Sequence, residues 1–426
     1  MQSIVIHAGA GCVAPRAEAE AVRLDAIKRA LLAAREALVQ TSSLSEAVIA
    51  ALIVMEDDEH CNAGYGSNLT EDGSVECDAS IMEGDYCGYG ACGAVPGVAN
   101  PIRLAARLLA CQRGPARPLG LQHPMLLVGP GAQRWAGRNG VNVVDEEALV
   151  SARSHRTWRR MRDDLSDEEA AQAAKRRRRS SDDGTHPPKR DDAPEAAPMP
   201  LEGRAYDTVG VVACDGAHVV AASSSGGIWL KASGRVGSAA LFGAGCWAAD
   251  AVPAHGAADD GAAGGPCGAT ARAQHASATV GASASGVGEE VVQALLAQQF
   301  CLAIAQSDVS IAATAKELLC GRQAGVVALR SLPDPKPPAR HGMEIIIAHS
   351  TPAFVVGHLD VDVAGEAGRD DSLQDEVQQP QPQAFISRCR RRDEAGADAA
   401  DDERPEVLRI PCGSRAERSE KVQETS

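Results

Sequence analysis

Apolar positions along this chain follow two periods. Ser3-Ile4-Val5-Ile6-His7 is a short apolar run that ends in Ala8-Gly9-Ala10-Gly11. It predicts a buried strand leading into a tight turn, where glycines let another group approach the backbone. Leu24, Ile27, Leu31 and Leu38 then recur between charged neighbours, the stripe of a helix with one buried face. Ser43 followed by Glu46 is a capping-box signature, and a second helix is predicted from there to about Glu56. Asn100-Pro101 predicts the start of a third, through Ile102, Leu104 and Leu108, with Asn as cap and Pro in the first turn.

From about Ala152 the pattern fails. Residues 152–205 are dominated by charge, Pro, Ala and Ser and include the basic run 175–179. A stretch with so few apolar side chains cannot offset its ordering entropy, which predicts a disordered basic loop with at most a frayed helix over 165–174. Apolar runs return at 208–213 and 218–222, joined across Asp215-Gly216, a strong hairpin signal. Residues 289–304 carry helical spacing, and 344–349 and 353–358 read as the last strands. The Asp-, Gln- and Arg-rich residues 359–426 are expected to be a disordered tail.

Composition narrows the classes. With 426 residues, 44% of them apolar, the chain can build one substantial core. A net charge of −15 argues against a general nucleic-acid binder. The 13 cysteines include no C-x-x-C pair, so neither a zinc spacing nor a disulfide framework is indicated. The chain opens without a signal-peptide pattern and holds no apolar run of membrane-spanning length, so a soluble, unsecreted protein is expected.

The 11 histidines show no Ser/His/Asp or metal-ligand spacing. Thr208 offers different chemistry. It follows Asp207 where the basic loop meets a strand, and cutting that bond would leave Thr208 with both a hydroxyl and a free α-amine. An α-amine titrating at about 7.7–8.0 can take the hydroxyl's proton, so one residue would supply nucleophile and base. That chemistry demands no metal or organic cofactor.

The motifs around Thr208 resemble those of the asparaginase-like family of N-terminal-nucleophile hydrolases, and within it the threonine aspartase (taspase) branch. The resemblance rests on His7 to Gly11, Asn62 to Leu69 with Glu76 to Met82, and Asn100-Pro101-Ile102. It continues through Asp207 to Gly210, Ser224 to Gly227, Gly234 to Gly237 and Ser285 to Glu289, in family order over nearly all of the patterned chain. It implies an α+β fold, a four-layer αββα sandwich, in which one catalytic domain is divided into an α subunit, 1–207, and a β subunit with its core in 208–358. It also implies autocleavage between Asp207 and Thr208, and pairing of the αβ units into a dimer or heterotetramer.

Position by position, Thr208 matches the nucleophile and Ser225 a second hydroxyl that orients it, unless Ser225 only satisfies a glycine-rich turn. Arg235 matches the clamp on a substrate carboxylate, which a guanidinium grips as a planar fork, with Gly237 and Ser238 beside it. Ser285 and Gly286, with the backbone of Gly9, match the segment that offers donors to a developing oxyanion. Asn62 to Ser67 could equally serve only to brace the site.

One departure bears on substrate. Asparaginases of this family carry Gly-Arg-Val-Gly-Asp at the clamp, the aspartate pairing with the free α-amine of a small substrate. Here that position is Ser238. A free ammonium would lose its ion partner, whereas an internal peptide nitrogen would lose nothing comparable. An endopeptidase cutting after aspartate in protein substrates is therefore expected, with an asparaginase or isoaspartyl dipeptidase as the alternative and an inactive nuclear binding protein as a third reading. Basic clusters at 175–179 and 189–190 resemble a bipartite nuclear-import signal, implying a nuclear, and also cytoplasmic, protein that acts on nuclear regulatory proteins and binds neither nucleic acid nor membrane. The Gly-, Ala- and Asp-rich residues 254–279 stand where the family has a shorter connection.

Overall fold

The computed structural model describes residues 1–11, 17–181, 205–251, 278–306, 309–332, 342–363, 381–388 and 405–412. In chain order, β1 (Gln2–Gly11) leads to α1 (Ala17–Thr41), α2 (Leu44–Glu56), β2 (Cys77–Glu83), β3 (Gly88–Val95), α3 (Pro101–Gln112), β4 (Leu126–Val128), α4 (Gly129–Arg138) and α5 (Ala152–Ser181). The hairpin β5 (Ala205–Cys214) and β6 (Val219–Ser225) follows, then β7 (Cys246–Ala249), β8 (Thr279–Gly286), α6 (Gly288–Ala294), α7 (Leu296–Ile304) and α8 (Ile311–Leu319). The last described strands are β9 (Ala324–Leu332), β10 (Gly342–His349), β11 (Ala353–Val361), β12 (Gln383–Arg388) and β13 (Glu406–Pro411).

The strands form an eight-stranded sheet in the order β12-β11-β1-β5-β6-β2-β3-β4 and a five-stranded sheet in the order β13-β10-β9-β8-β7. Two apolar clusters follow from strand alternation. Ile4 and Ile6 of β1 and Val209 and Val211 of β5 pack with Ile27 and Leu52 of α1 and α2. Their neighbours Val5 and Val212 point the other way, into a second cluster with Val327, Ile346 and Phe300. β5 and β6 pack on β8 and β1 packs on β9, so the sheets face one another; α1, α2 and α3 cover the first and α7 and α8 the second. The fold is mixed α+β.

Several expected elements are present. α2 ends at Glu56 and is capped by the Ser43 hydroxyl, which accepts from the Glu46 N–H at 3.3 Å. The Asp215-Gly216 turn joins β5 to β6, with Asp215 Oδ1 accepting from the N–H groups of Ala217 and His218. Asn100, expected to cap α3, instead donates its side-chain amide to Asp57 Oδ1 at 2.9 Å. The helix expected over 289–304 is broken at Leu295, whose φ of 45° separates α6 from α7.

Two larger corrections concern residues expected to be disordered. The segment from 152 begins as the 30-residue helix α5. It has no Gly or Pro and is rich in Ala and Arg, good helix formers. Its first turns are anchored where Trp158 Nε1 donates to the Thr70 carbonyl at 2.8 Å and the Ser154 hydroxyl to that of Gly66 at 3.3 Å. Sparse apolar content hid this, because local propensity and a few anchors suffice at one end. The expected tail contributes β12 and β13, which pair with β11 and β10 through Ala353↔Arg388 and Ile345↔Ile410 and lay Phe385, Ile386, Val407 and Leu408 against the two cores. The basic pair 189–190 and residues 254–277 lie outside the described residues, as do the side chains of 175–179.

Where the sheets meet below the start of β5, space is fixed by Gly210. A methyl group there would collide with the Ser283 hydroxyl and the His7 ring. Gly210→Ala is expected to destabilise the fold by about 1–3 kcal/mol through overpacking, read as a lower midpoint in equilibrium urea unfolding.

Candidate active site

β1 carries apolar side chains on both faces and so lies inside its sheet, where it pairs with β5 on one side and β11 on the other. As β1 steps from Ala8 to Ala10, its partners on β5 step from Val209 to Tyr206. Asp207 and Thr208 thus share one opposite number, Gly9, whose φ of 103° suits glycine. The extra residue is a β-bulge, a device that re-aims side chains and interrupts the ladder. Here it falls on the bond between Asp207 and Thr208.

The two side chains leave this bulge toward different elements. Thr208 is 6% exposed, and its hydroxyl donates to Ser225 Oγ on β6 at 3.2 Å. Ser225 Oγ also accepts from the Gly227 N–H at 3.0 Å. Asp207 turns to α1, where Arg23 Nη2 meets its Oδ2 at 3.0 Å. Burial pushes the Asp207 carboxyl up, opposed by the charges of Arg23 and Arg153.

Beside Ser225 lies a concentration of positive charge. Gly227, Gly237 and Gly288 surround the Arg235 guanidinium closely enough that added methyl groups would press on its nitrogens. Arg235 Nε and Nη2 donate to Glu289 Oε1 at 3.1 and 2.8 Å. Burial pushes the Glu289 carboxyl up, but the hydrogen bond and charge of Arg235 outweigh this and hold it below the usual range. Lys231 is 2% exposed, with Nζ donating to the carbonyls of Glu76 and Gly226. Asp78, opposite Ser225 in the β2–β6 ladder, accepts from the N–H groups of Ala94 and Gly237, both at 2.8 Å. Burial pushes its carboxyl up, against Lys231, those N–H groups and Arg235. Such a site can hold one more carboxylate if the exposed Glu289 gives way to it.

The remaining expected residues border this centre. Ser285 Oγ accepts from the Ala10 N–H at 3.2 Å, placing the end of β8 beside the residue after Gly9. Gly286 ends β8 opposite Ala324. Ser238 is buried and opens the short turn after Gly237. Asn62 accepts the Asn68 N–H on its side-chain oxygen and donates to the Gly227 carbonyl, both at 2.8 Å, so this segment holds the turn after Ser225. Among the described residues no group of His, Cys, Asp and Glu could hold a metal ion.

The geometry joins the motifs at 7–11, 62–69, 76–82, 207–210, 224–227, 234–237 and 285–289 around Thr208, and known sequences place it in a family. A family model described as Asparaginase matches residues 1–263. The chain belongs to the asparaginase family. The chain is 34% identical over 253 residues to an isoaspartyl peptidase/L-asparaginase of Xenopus laevis, covering 59% of this chain and 68% of the relative. It is 34% identical to a plant-type L-asparaginase of Pyrococcus abyssi, covering 58% and 70%, and 33% identical to an isoaspartyl peptidase/L-asparaginase of Bos taurus, covering 58% and 67%. Members of this family are N-terminal-nucleophile hydrolases.

Sequence reasoning assigned no role at the site to four residues. Arg23 carries no signal, being one of several charges on an amphipathic helix. Lys231 is equally silent, although a lone Lys between glycine-rich turns could have suggested burial. His7 and Glu56 belong to buried polar chemistry under the site. His7 Nε2 and Ser283 Oγ share a hydrogen bond of 2.9 Å, and Ser283 and Ser223 share another of 2.8 Å. Burial lowers the His7 ring to about 3, against a backbone contribution from Thr208, so this imidazole is a poor proton acceptor.

Glu56 at the end of α2 accepts the Ser224 hydroxyl at 2.6 Å and the Ile102 N–H at 3.0 Å, tying β6 to the start of α3. Burial pushes its carboxyl up to about 8 despite those bonds. The folded state then keeps a proton that the unfolded chain loses near the ordinary carboxylate range. Stability should fall as pH rises from that range to about 8, by about 1.4 kcal/mol per pH unit. Urea midpoints at pH 5, 6.5 and 8 check this: the fall is expected in the wild type and should be smaller in Glu56→Gln, which cannot ionise.

Proposed function

We propose that this protein is a self-processing threonine endopeptidase of the threonine aspartase type, which cleaves itself between Asp207 and Thr208 and then hydrolyses protein substrates after aspartate. The facing sheets with helices on their outer sides support reading the fold as a four-layer αββα sandwich, with 1–207 and 208–358 as the two parts of one catalytic unit. In self-cleavage the Thr208 hydroxyl adds to the Asp207 carbonyl carbon. The peptide C–N bond breaks as the hydroxyl's proton passes to the Thr208 nitrogen, leaving an ester. Water then hydrolyses the ester, giving a carboxylate at Asp207 and restoring the hydroxyl beside a free amine.

In substrate hydrolysis that amine takes the proton of the Thr208 hydroxyl, while Ser225 orients the pair. Arg235 exchanges Glu289 for the side-chain carboxylate of the substrate aspartate. Backbone donors of Gly9 and the Ser285-Gly286 segment face the developing oxyanion, and water hydrolyses the resulting ester. The observation that carries the endopeptidase reading is Ser238. It is buried beside the clamp where the asparaginases it resembles carry aspartate, so no carboxylate awaits a free α-amine there.

The second reading is an isoaspartyl peptidase or asparaginase with the same nucleophile, and the names of the relatives favour it. Two further proposals accompany the first reading. The basic clusters 175–179 and 189–190 support entry to the nucleus, and family membership supports pairing of the cleaved units.

Intact mass and amino-terminal sequencing after incubation at neutral pH test the shared chemistry. Fragments meeting at Asp207 and Thr208 are expected in the wild type and not in Thr208→Ala, and an uncut wild type would overturn self-processing. The cut protein should then hydrolyse a peptide with an internal aspartate and release little ammonia from asparagine. Ammonia release without peptide cleavage would establish the second reading instead.

A further inference from the structure

The uncut chain shows two arginines with different partners. Arg235, ringed by glycines beside Ser225, is held by Glu289. Asp207, the residue whose carbonyl Thr208 must attack, is held by Arg23 at 3.0 Å, with the two side chains 15% and 17% exposed. Ladder contacts on either side of the bulge, Ala8↔Val209 and Ala10↔Tyr206, fix the backbone. From it the Thr208 hydroxyl reaches across to β6 while the Asp207 carboxylate reaches α1. To exchange Arg23 for Arg235, Asp207 would have to cross its own strand and break the pairing that places Thr208.

We propose that Arg23 is the residue that positions Asp207 for self-cleavage, so that the protein reads aspartate through two different arginines, Arg23 in its own chain and Arg235 in its substrates. This rests on the self-processing function proposed above. Arg23 sits on α1, whose Ile27 and Leu31 are packed in the core, so its cation is presented by a rigid element. Arg153 of α5, fixed by donating to the Glu59 carbonyl at 2.9 Å, adds a second positive charge near the carboxylate. An ion pair shielded to this degree is stronger and more directional than one in open solvent. With the carboxylate held at one end and Thr208 at the other, the bulged peptide between them has little freedom to turn its carbonyl away from the hydroxyl, which is the orientational contribution that intramolecular attack needs.

A substrate is under no such constraint. Its aspartate is not a strand residue paired with β1, so its side chain can enter the glycine-lined space of Arg235. Arg23 is then required only once in the life of each molecule.

The test follows full-length wild type, Arg23→Ala, Arg23→Lys and Arg235→Ala. Conversion to the two fragments is measured by intact mass over time. Each sample is then left until cut, and hydrolysis of a peptide with an internal aspartate is measured per cut molecule. Loss of a charged hydrogen bond should slow conversion of Arg23→Ala about tenfold or more, with peptide turnover per cut molecule within about twofold of wild type. Arg23→Lys should recover part of the conversion rate. Arg235→Ala should show the reverse: conversion near the wild-type rate and loss of peptide turnover. Conversion of Arg23→Ala at the wild-type rate would overturn the proposal, and so would a parallel fall of conversion and turnover, the mark of a merely structural ion pair. Failure of the wild type to convert would instead remove the self-processing function itself.

Discussion

One extra residue in β5 organises the site. Because Asp207 and Thr208 share Gly9 as their opposite number, the strand that anchors the sheet also interrupts its ladder at one peptide bond. The bulge can persist only because everything around it is fixed. β1 and β5 are buried on both faces, by α1 and α2 on one side and the second sheet on the other. The cost of a local irregularity is borne by a rigid surround.

Polar groups beneath the bulge complete this constraint. His7, Ser283 and Ser223 form a chain between the sheets that fits only because Gly210 has no side chain. On the helix side, Glu56 ties Ser224 to the first turn of α3. Ser223, Ser224 and Ser225 are consecutive, yet alternation along β6 sends the middle one to the helices and its neighbours toward the second sheet. A run of three serines therefore performs three tasks: support between the sheets, attachment to α2, and contact with Thr208.

Charge then gives the site its preference. Lys231 and Arg235 bring two cations beside Ser225, against the buried Asp78 and the exposed Glu289. Asp78 is committed to two backbone N–H groups, which leaves the rim carboxylate as the replaceable partner. On the proposed function, the anionic group of a substrate takes the place of Glu289 on Arg235, and Ser238 lies beside it.

The sequence by itself determined the strands and helices whose patterns are local: the opening strand, α2 with its Ser43 cap, and the hairpin across Asp215-Gly216. Resemblance to the family singled out the motifs that hold Thr208, Ser225, Arg235 and the Ser285-Gly286 segment. Sequence reasoning misread α5, β12 and β13, because a charged helix and edge strands draw their stability from anchors and partners distant in the chain, which local apolar content does not report. Only the tertiary structure decided where Asp207 points. Arg23 is 184 residues away along the chain, and no periodicity marks it apart from the other charges on α1. That pairing, like the burial of Lys231 and the register that sets Gly9 against two residues, exists only once strands from both ends of the sequence have closed into one sheet.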